Sequence, residues 1–175
     1  HCHFHLLAEM QHSGQNYEDA IRQYKFERDY KTRLLKFKAG CLAHFAMDLN
    51  EVYMCTNLKG KSSFFLPFNK GCGVGIHSGK GNPHNENGIN VSYMWEDILK
   101  KDTVLYLIDK IIFLQKETKK DPDTGKRVTK ETLIFPRYHQ FNAVRKLVAD
   151  VVEHHSEKNY LIEHSAGSGK TNTIA

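Results

Sequence analysis

The residues with most chemical potential are His164-Ser165-Ala166-Gly167-Ser168-Gly169-Lys170-Thr171. They follow the apolar triplet Tyr160-Leu161-Ile162, which reads as a strand, and a helix is expected to begin at the loop. Strand, glycine-rich loop, Gly-Lys-Thr, helix is the order in which a phosphate cradle is built. Glycine lets the backbone curl until its N–H groups point inward. Those donors, with the helix N-terminus behind them, hold phosphate oxygens. In such a loop Ala166, Gly167, Ser168 and Gly169 form the cradle. The Lys170 ammonium reaches the β and γ phosphates, and the Thr171 hydroxyl binds the Mg²⁺ that bridges them. ATP and Mg²⁺ are therefore the expected cofactors. One position departs from the general pattern, which places Gly five residues before the second Gly; here it is His164.

Other residues offer weaker chemistry. Gly71-Cys72-Gly73-Val74-Gly75 looks like a nucleotide loop but lacks the strand and helix that would flank one, so it reads as a structural loop. The four cysteines, Cys2, Cys41, Cys55 and Cys72, include no Cys-x-x-Cys pair, which leaves a zinc-ribbon framework unsupported. Cys41 and Cys55 lie in apolar runs and read as small core residues in a reducing, cytoplasmic setting. His1, His3 and His5 alternate and His154-His155 end a helix, yet none has acidic or Cys partners at a metal-binding spacing.

The elements that must position the loop can be read from periodicity. Asn16 caps a helix whose apolar face is Tyr17, Ala20, Ile21 and Tyr24, with Glu18 and Asp19 in its first turn. Residues 42–47 and 52–56 read as a hairpin around Asp48-Leu49-Asn50. Residues 59–90 are irregular and glycine-rich, but Phe64, Phe65, Leu66 and Phe68 imply that this loop packs on the body. A short helix carries Trp95. Asp102 is placed as the cap of another, with Val104, Leu105, Ile108, Ile111 and Ile112 on its buried side. Residues 116–132, polar and Lys-rich around Asp121-Pro122-Asp123-Thr124-Gly125, read as a turn or linker and a domain boundary. A helix then opens at residues 135–140, with Val144, Leu147, Val148, Val151 and Val152 as its core stripe.

Phe135-Pro136-Arg137-Tyr138-His139-Gln140, Ala143-Val144-Arg145, the loop at 164–171 and Ile174-Ala175 resemble the start of the first motor domain in the restriction subunit of type I restriction–modification enzymes. Upstream, Gly14-Gln15-Asn16, Asp19-Ala20-Ile21-Arg22-Gln23-Tyr24-Lys25, His44-Phe45-Ala46-Met47-Asp48, Phe65-Leu66-Pro67-Phe68-Asn69-Lys70-Gly71, Gly81-Asn82-Pro83 and Tyr93-Met94-Trp95-Glu96-Asp97 resemble the distal half of that subunit's nuclease domain. The resemblance covers roughly residues 13–175. It implies an α/β chain: the C-terminal part of a restriction-endonuclease-like domain (1–115), a linker (116–132), and the start of a RecA-like phosphate-loop motor (133–175). It further implies that Gln140 recognises adenine, with Arg137 and Tyr138 near the base. The implied activity is that of a type I site-specific deoxyribonuclease with DNA-dependent ATPase. The implied partners are double-stranded DNA, a methyltransferase subunit and a specificity subunit, with no membrane.

The match has gaps. Nucleases of this class hold Mg²⁺ with an Asp and a Glu-x-Lys just upstream of the position of Gly14. Here Leu7-Ala8-Glu9-Met10-Gln11-His12 offers Glu9 without a lysine at that spacing. Gln23 and Tyr24 are the nearest candidates for the Gln and Tyr that support such a site, although their spacing departs from Gln-x-x-x-Tyr. The Asp-Glu box and second lobe of a complete motor do not follow Ala175. These gaps suggest a truncated sequence and keep two alternatives open: a non-catalytic remnant able at most to bind nucleotide phosphate or DNA, and a small-molecule kinase or GTPase sharing the phosphate loop. The mild net charge of +5 permits a polyanionic partner without requiring one. No apolar run approaches the ~20 residues that cross a bilayer.

Overall fold

A computed structural model describes residues 5–10 (as backbone), 14–72, 80–122, 124–155 and 159–162. The first strand, β1 (His5–Met10), leads to helix α1 (Tyr17–Arg22), then to β2 (Cys41–Met47) and β3 (Val52–Cys55). The two-residue β4 (Leu66–Pro67) completes a mixed sheet ordered β1-β2-β3-β4. β1 and β2 run parallel, joined across α1; β2, β3 and β4 are successively antiparallel. The chain is therefore mixed α/β, as expected.

α1 forms where the sequence places it. Asn16 Oδ1 accepts the N–H groups of Glu18 and Asp19, and Asp19 Oδ2 accepts the Asn16 N–H in return. This reciprocal cap satisfies donors that the first helical turn leaves open. The helix ends in a π-helical turn (Gln23–Glu27) closed by the Arg28 N–H on the Gln23 carbonyl at 2.9 Å. The β2–β3 hairpin is also as expected, and Asp48 holds it. Its Oδ1 accepts from Asn50 and Glu51 (2.7 and 2.8 Å), while Oδ2 accepts from Tyr17 at the start of α1 (3.2 Å).

β2 is buried on both faces because alternate residues serve different cores. Ala43, Phe45 and Met47 join Val52, Met54, Phe68, Val91, Tyr93, Met94, Ile98, Leu107, Phe135 and Phe141. On the other face Ala46 joins Ala20, Tyr24, Leu35, Cys55 and Leu58 under α1. A strand covered on both sides reads as a continuous apolar run, and Cys-Leu-Ala-His-Phe-Ala-Met does so. Cys41 and Cys55 are buried within this packing, as expected of small core residues.

Several expectations are corrected. The second helix, α2 (Lys101–Tyr106), follows Lys100 rather than a cap at Asp102, which lies inside its first turn. α2 runs into a π-helical turn (Leu107–Ile111). Leu105 points to solvent and Leu107 takes the core position, because Val104, Leu107, Ile108 and Ile111 recur at i, i+3, i+4 and i+7 and that face excludes Leu105; Val104, Ile108, Ile111 and Ile112 are half-buried as expected. Trp95 does lie in a helical turn (Met94–Ile98), also π-helical. The polar stretch 116–132, expected as a turn or linker, is mostly strand. It forms most of an antiparallel ribbon of β5 (Phe113–Lys120) and β6 (Arg127–Ile134), closed by a turn at the expected Asp-Pro-Asp-Thr-Gly. In the glycine-rich loop, Phe68 is fully buried and Phe65 half-buried, while Phe64 is exposed.

Among the described residues, α3 (Tyr138–His154) meets the core at its beginning, where Gln140 and Phe141 are buried and Tyr138 packs beside them. Val148, Val151 and Val152, expected in its core stripe, are exposed because no described element covers that half of the helix. Tyr160-Leu161-Ile162, expected as a strand, is irregular and also exposed. No helix among the described residues is long and apolar enough to cross a membrane.

Candidate functional site

The phosphate loop predicted from the sequence, residues 164–171 with Lys170 and Thr171, lies outside the described residues. The structure instead shows how the helix ahead of it is fastened. Phe135 sits edge-on to Phe45 and Phe68 at centroid distances of 5.9 and 6.0 Å. Tyr138 packs on Tyr93 (5.1 Å) and Phe68 (6.0 Å), and Tyr93 donates its hydroxyl to the Phe68 carbonyl at 2.8 Å. Burial pushes both tyrosine hydroxyls up from their ordinary pKa. Gln140 is 6% exposed, so it is not the solvated helix residue that a surface position would give. Its Oε1 accepts the Arg137 N–H at 2.8 Å, fixing the turn where the chain enters α3.

One turn further on, Arg145 forks onto Asp97, with Nη1 to Oδ1 at 2.7 Å and Nη2 to Oδ2 at 2.8 Å. The guanidinium also lies 4.9 Å from the centre of the Phe141 ring. Arg145 donates to the Asp97 carboxylate and so holds its pKa below the usual range; the same bonds raise that of the guanidinium. Two parallel bonds to a planar fork restrict orientation more than a point charge does. Beside the pair, Asp102, Thr103, Tyr106, Phe141 and Arg145 line an open pocket of about 230 Å³.

Gln23 and Tyr24, the weaker candidates, lie at the end of α1. Tyr24 is fully buried, its ring 5.6 Å from His44 and 5.7 Å from Phe65. Gln23 is half-buried and opens the π-helical turn. Among the described residues no three His, Cys, Asp or Glu side chains converge as a metal-binding set.

Two features were missed from the sequence. Asp97 and Arg145 lie 48 residues apart, and nothing local marks them as partners. The β5–β6 ribbon did carry a signal: β-branched Val128, Thr129 and Thr132 follow a turn-forming Asp-Pro-Asp-Thr-Gly, as in a hairpin.

Comparison with known proteins gives one informative likeness. The chain is 31% identical over 103 residues to a protein of Methanocaldococcus jannaschii named "Putative type I restriction enzyme MjaVIIIP endonuclease subunit". The match covers 51% of this chain but 9% of the relative's length. No family model matches the chain, and no solved structure does. The chain is thus loosely related to restriction enzymes.

Proposed function

We propose that the chain is a piece of the ATP-driven DNA translocase and endonuclease subunit of a type I restriction enzyme, whose whole protein cleaves foreign DNA away from its recognition site. The observation that carries this reading is the Ala-Gly-Ser-Gly-Lys-Thr loop at 166–171, in a chain half of which is similar to a restriction endonuclease subunit. In this reading residues 1–115 belong to the nuclease domain and 133–175 open the motor. Lys170 and Thr171 hold MgATP through its phosphates, and Gln140 lies on the adenine side. Double-stranded DNA is the substrate, with methyltransferase and specificity subunits as partners. ATP hydrolysis would drive movement of duplex DNA. Phosphate contacts suit such a motor because they carry no sequence information.

The attachment of α3 bears on how the reading would work. A phosphate loop must be held in place for its backbone donors to act together. The helix ahead of it is tied to the sheet by Phe135, Tyr138 and Phe141, and to the Met94–Ile98 turn by the Arg145 fork.

The test is calorimetric titration of the chain with MgATP beside a Lys170→Ala variant. Binding that the variant abolishes is expected. Equal binding by both proteins would show that the nucleotide is held elsewhere and overturn the assignment of the loop.

A further inference from the structure

The tip of the β5–β6 ribbon is a cationic projection. Residues 119–130 contain five Lys or Arg and two Asp. Among the described residues the ribbon is packed at its base, where Leu114, Leu133 and Ile134 are half-buried, and tied midway by the Lys38–Glu131 ion pair; residues 115–120 and 124–130 are exposed. A two-stranded hairpin standing free in water is marginally stable, so a long exposed one calls for an explanation beyond packing.

The register sharpens the point. Lys120 lies directly opposite Arg127, and Thr118 opposite Thr129, one step along the same face. Like charges in directly opposed positions destabilise a hairpin. The carboxylates nearby are engaged elsewhere. Glu131 pairs with Lys38 and Lys116, Glu117 with Lys119, and Asp121 Oδ1 accepts the Thr124 N–H within the turn. Lys120, Lys126, Arg127 and Lys130 have no carboxylate partner among the described residues. The two threonine hydroxyls are hydrogen-bonded to each other at 3.0 Å, which leaves one O–H of the pair free to donate outward.

We propose that this ribbon is a contact for the phosphate backbone of duplex DNA, with Lys120 and Arg127 as its principal cations and the Thr118–Thr129 pair supplying one supporting donor. The proposal rests on the reading of the chain as part of a DNA enzyme. A row of phosphates supplies the negative charge that relieves the Lys120–Arg127 opposition. Lys, Arg and Thr are also side chains that commonly contact DNA phosphates. A two-stranded ribbon is narrow enough to lie against the duplex.

The experiment is fluorescence anisotropy of a short labelled mixed-sequence duplex titrated with the chain at several salt concentrations. Three variants are compared: Lys120→Glu with Arg127→Glu, the milder Lys120→Gln with Arg127→Gln, and Lys61→Glu with Lys101→Glu as a matched charge change elsewhere. Circular dichroism confirms that each is folded. The ribbon reversal is expected to weaken binding at least about tenfold. It should also flatten the slope of log affinity against log salt by roughly 1.8, the value of two lost phosphate contacts. The Gln pair should show an intermediate loss and the control little change. Equal losses in ribbon and control variants would overturn the ribbon as the site while leaving the DNA-enzyme reading intact. No duplex binding by the unaltered chain, or binding to anionic lipid vesicles alone, would overturn the ribbon proposal; nucleotide binding through Lys170 would still be judged by its own titration.

Discussion

At the scale of single residues, His44 is the most consequential side chain outside the proposed site. It is 1% exposed, and its Nδ1 has no hydrogen-bond partner among the described residues. Tyr24 packs edge-on against it, Cys55 lies opposite on β3 and Leu7 opposite on β1. Burial among these uncharged neighbours pushes its pKa down to about 4 from an ordinary 6.5. The unfolded chain therefore binds a proton that the folded chain refuses between these values. Stability is full above about pH 6.5 and declines as pH falls toward about 4, by on the order of 3 kcal/mol from this residue. Denaturant midpoints measured between pH 7 and 4 should show the decline, and His44→Leu should flatten it. An unchanged pH profile in that variant would assign the acid sensitivity to other groups. At pH 7 the substitution should cost little, because it removes a buried polar atom that has no partner.

At the scale of elements, the fork between Arg145 and Asp97 joins α3 to the Met94–Ile98 turn. Their side chains are 40% and 31% exposed, so solvent screens much of the attraction. Replacing Arg145 with Met should cost about 1 kcal/mol and lower the melting temperature by roughly 3 °C. A double-mutant cycle with Asp97→Asn isolates the pair, and a coupling near zero would leave α3 held by its aromatic anchors alone. Neither partner was legible as such in the sequence, since a contact between distant segments leaves no period. What was legible depended on local rules. The Asn16 cap and the hairpin around Asp48 each follow from residues within a few positions of one another. Leu105 was misplaced because Val104 and Leu105 are both apolar and spacing alone does not say which of the two faces the core, and the strands of the ribbon went unread because its Lys and Glu content outweighed its β-branched residues. Of the proposed site, the phosphate-loop motif is a matter of spacing alone and lies outside the described residues, whereas the burial of Gln140 depends on tertiary packing that spacing does not encode.

At the scale of the whole molecule, α3 has two energetic halves. Its first turns carry Phe141, which is 1% exposed and shares a core with Phe45 and Phe68. Its last turns carry Val148, Val151 and Val152 at 47%, 39% and 73% exposure. Hydrophobic stabilisation scales with the apolar area removed from water, so the first half should carry nearly all of the helix's contribution. Phe141→Ala should cost about 3–5 kcal/mol in urea unfolding through the cavity it leaves. Val151→Lys with Val152→Lys should change stability by no more than about 0.5 kcal/mol, as expected of exposed positions. A loss above about 1 kcal/mol in the valine pair would mean that this face is covered in solution. The proposed motor reading gives that outcome a meaning: a RecA-like sheet packs helices on its faces, and an apolar stripe leading toward the phosphate loop is where such a sheet would pack. The same pair of valines thus separates a helix that merely projects from the core from one already docked against it.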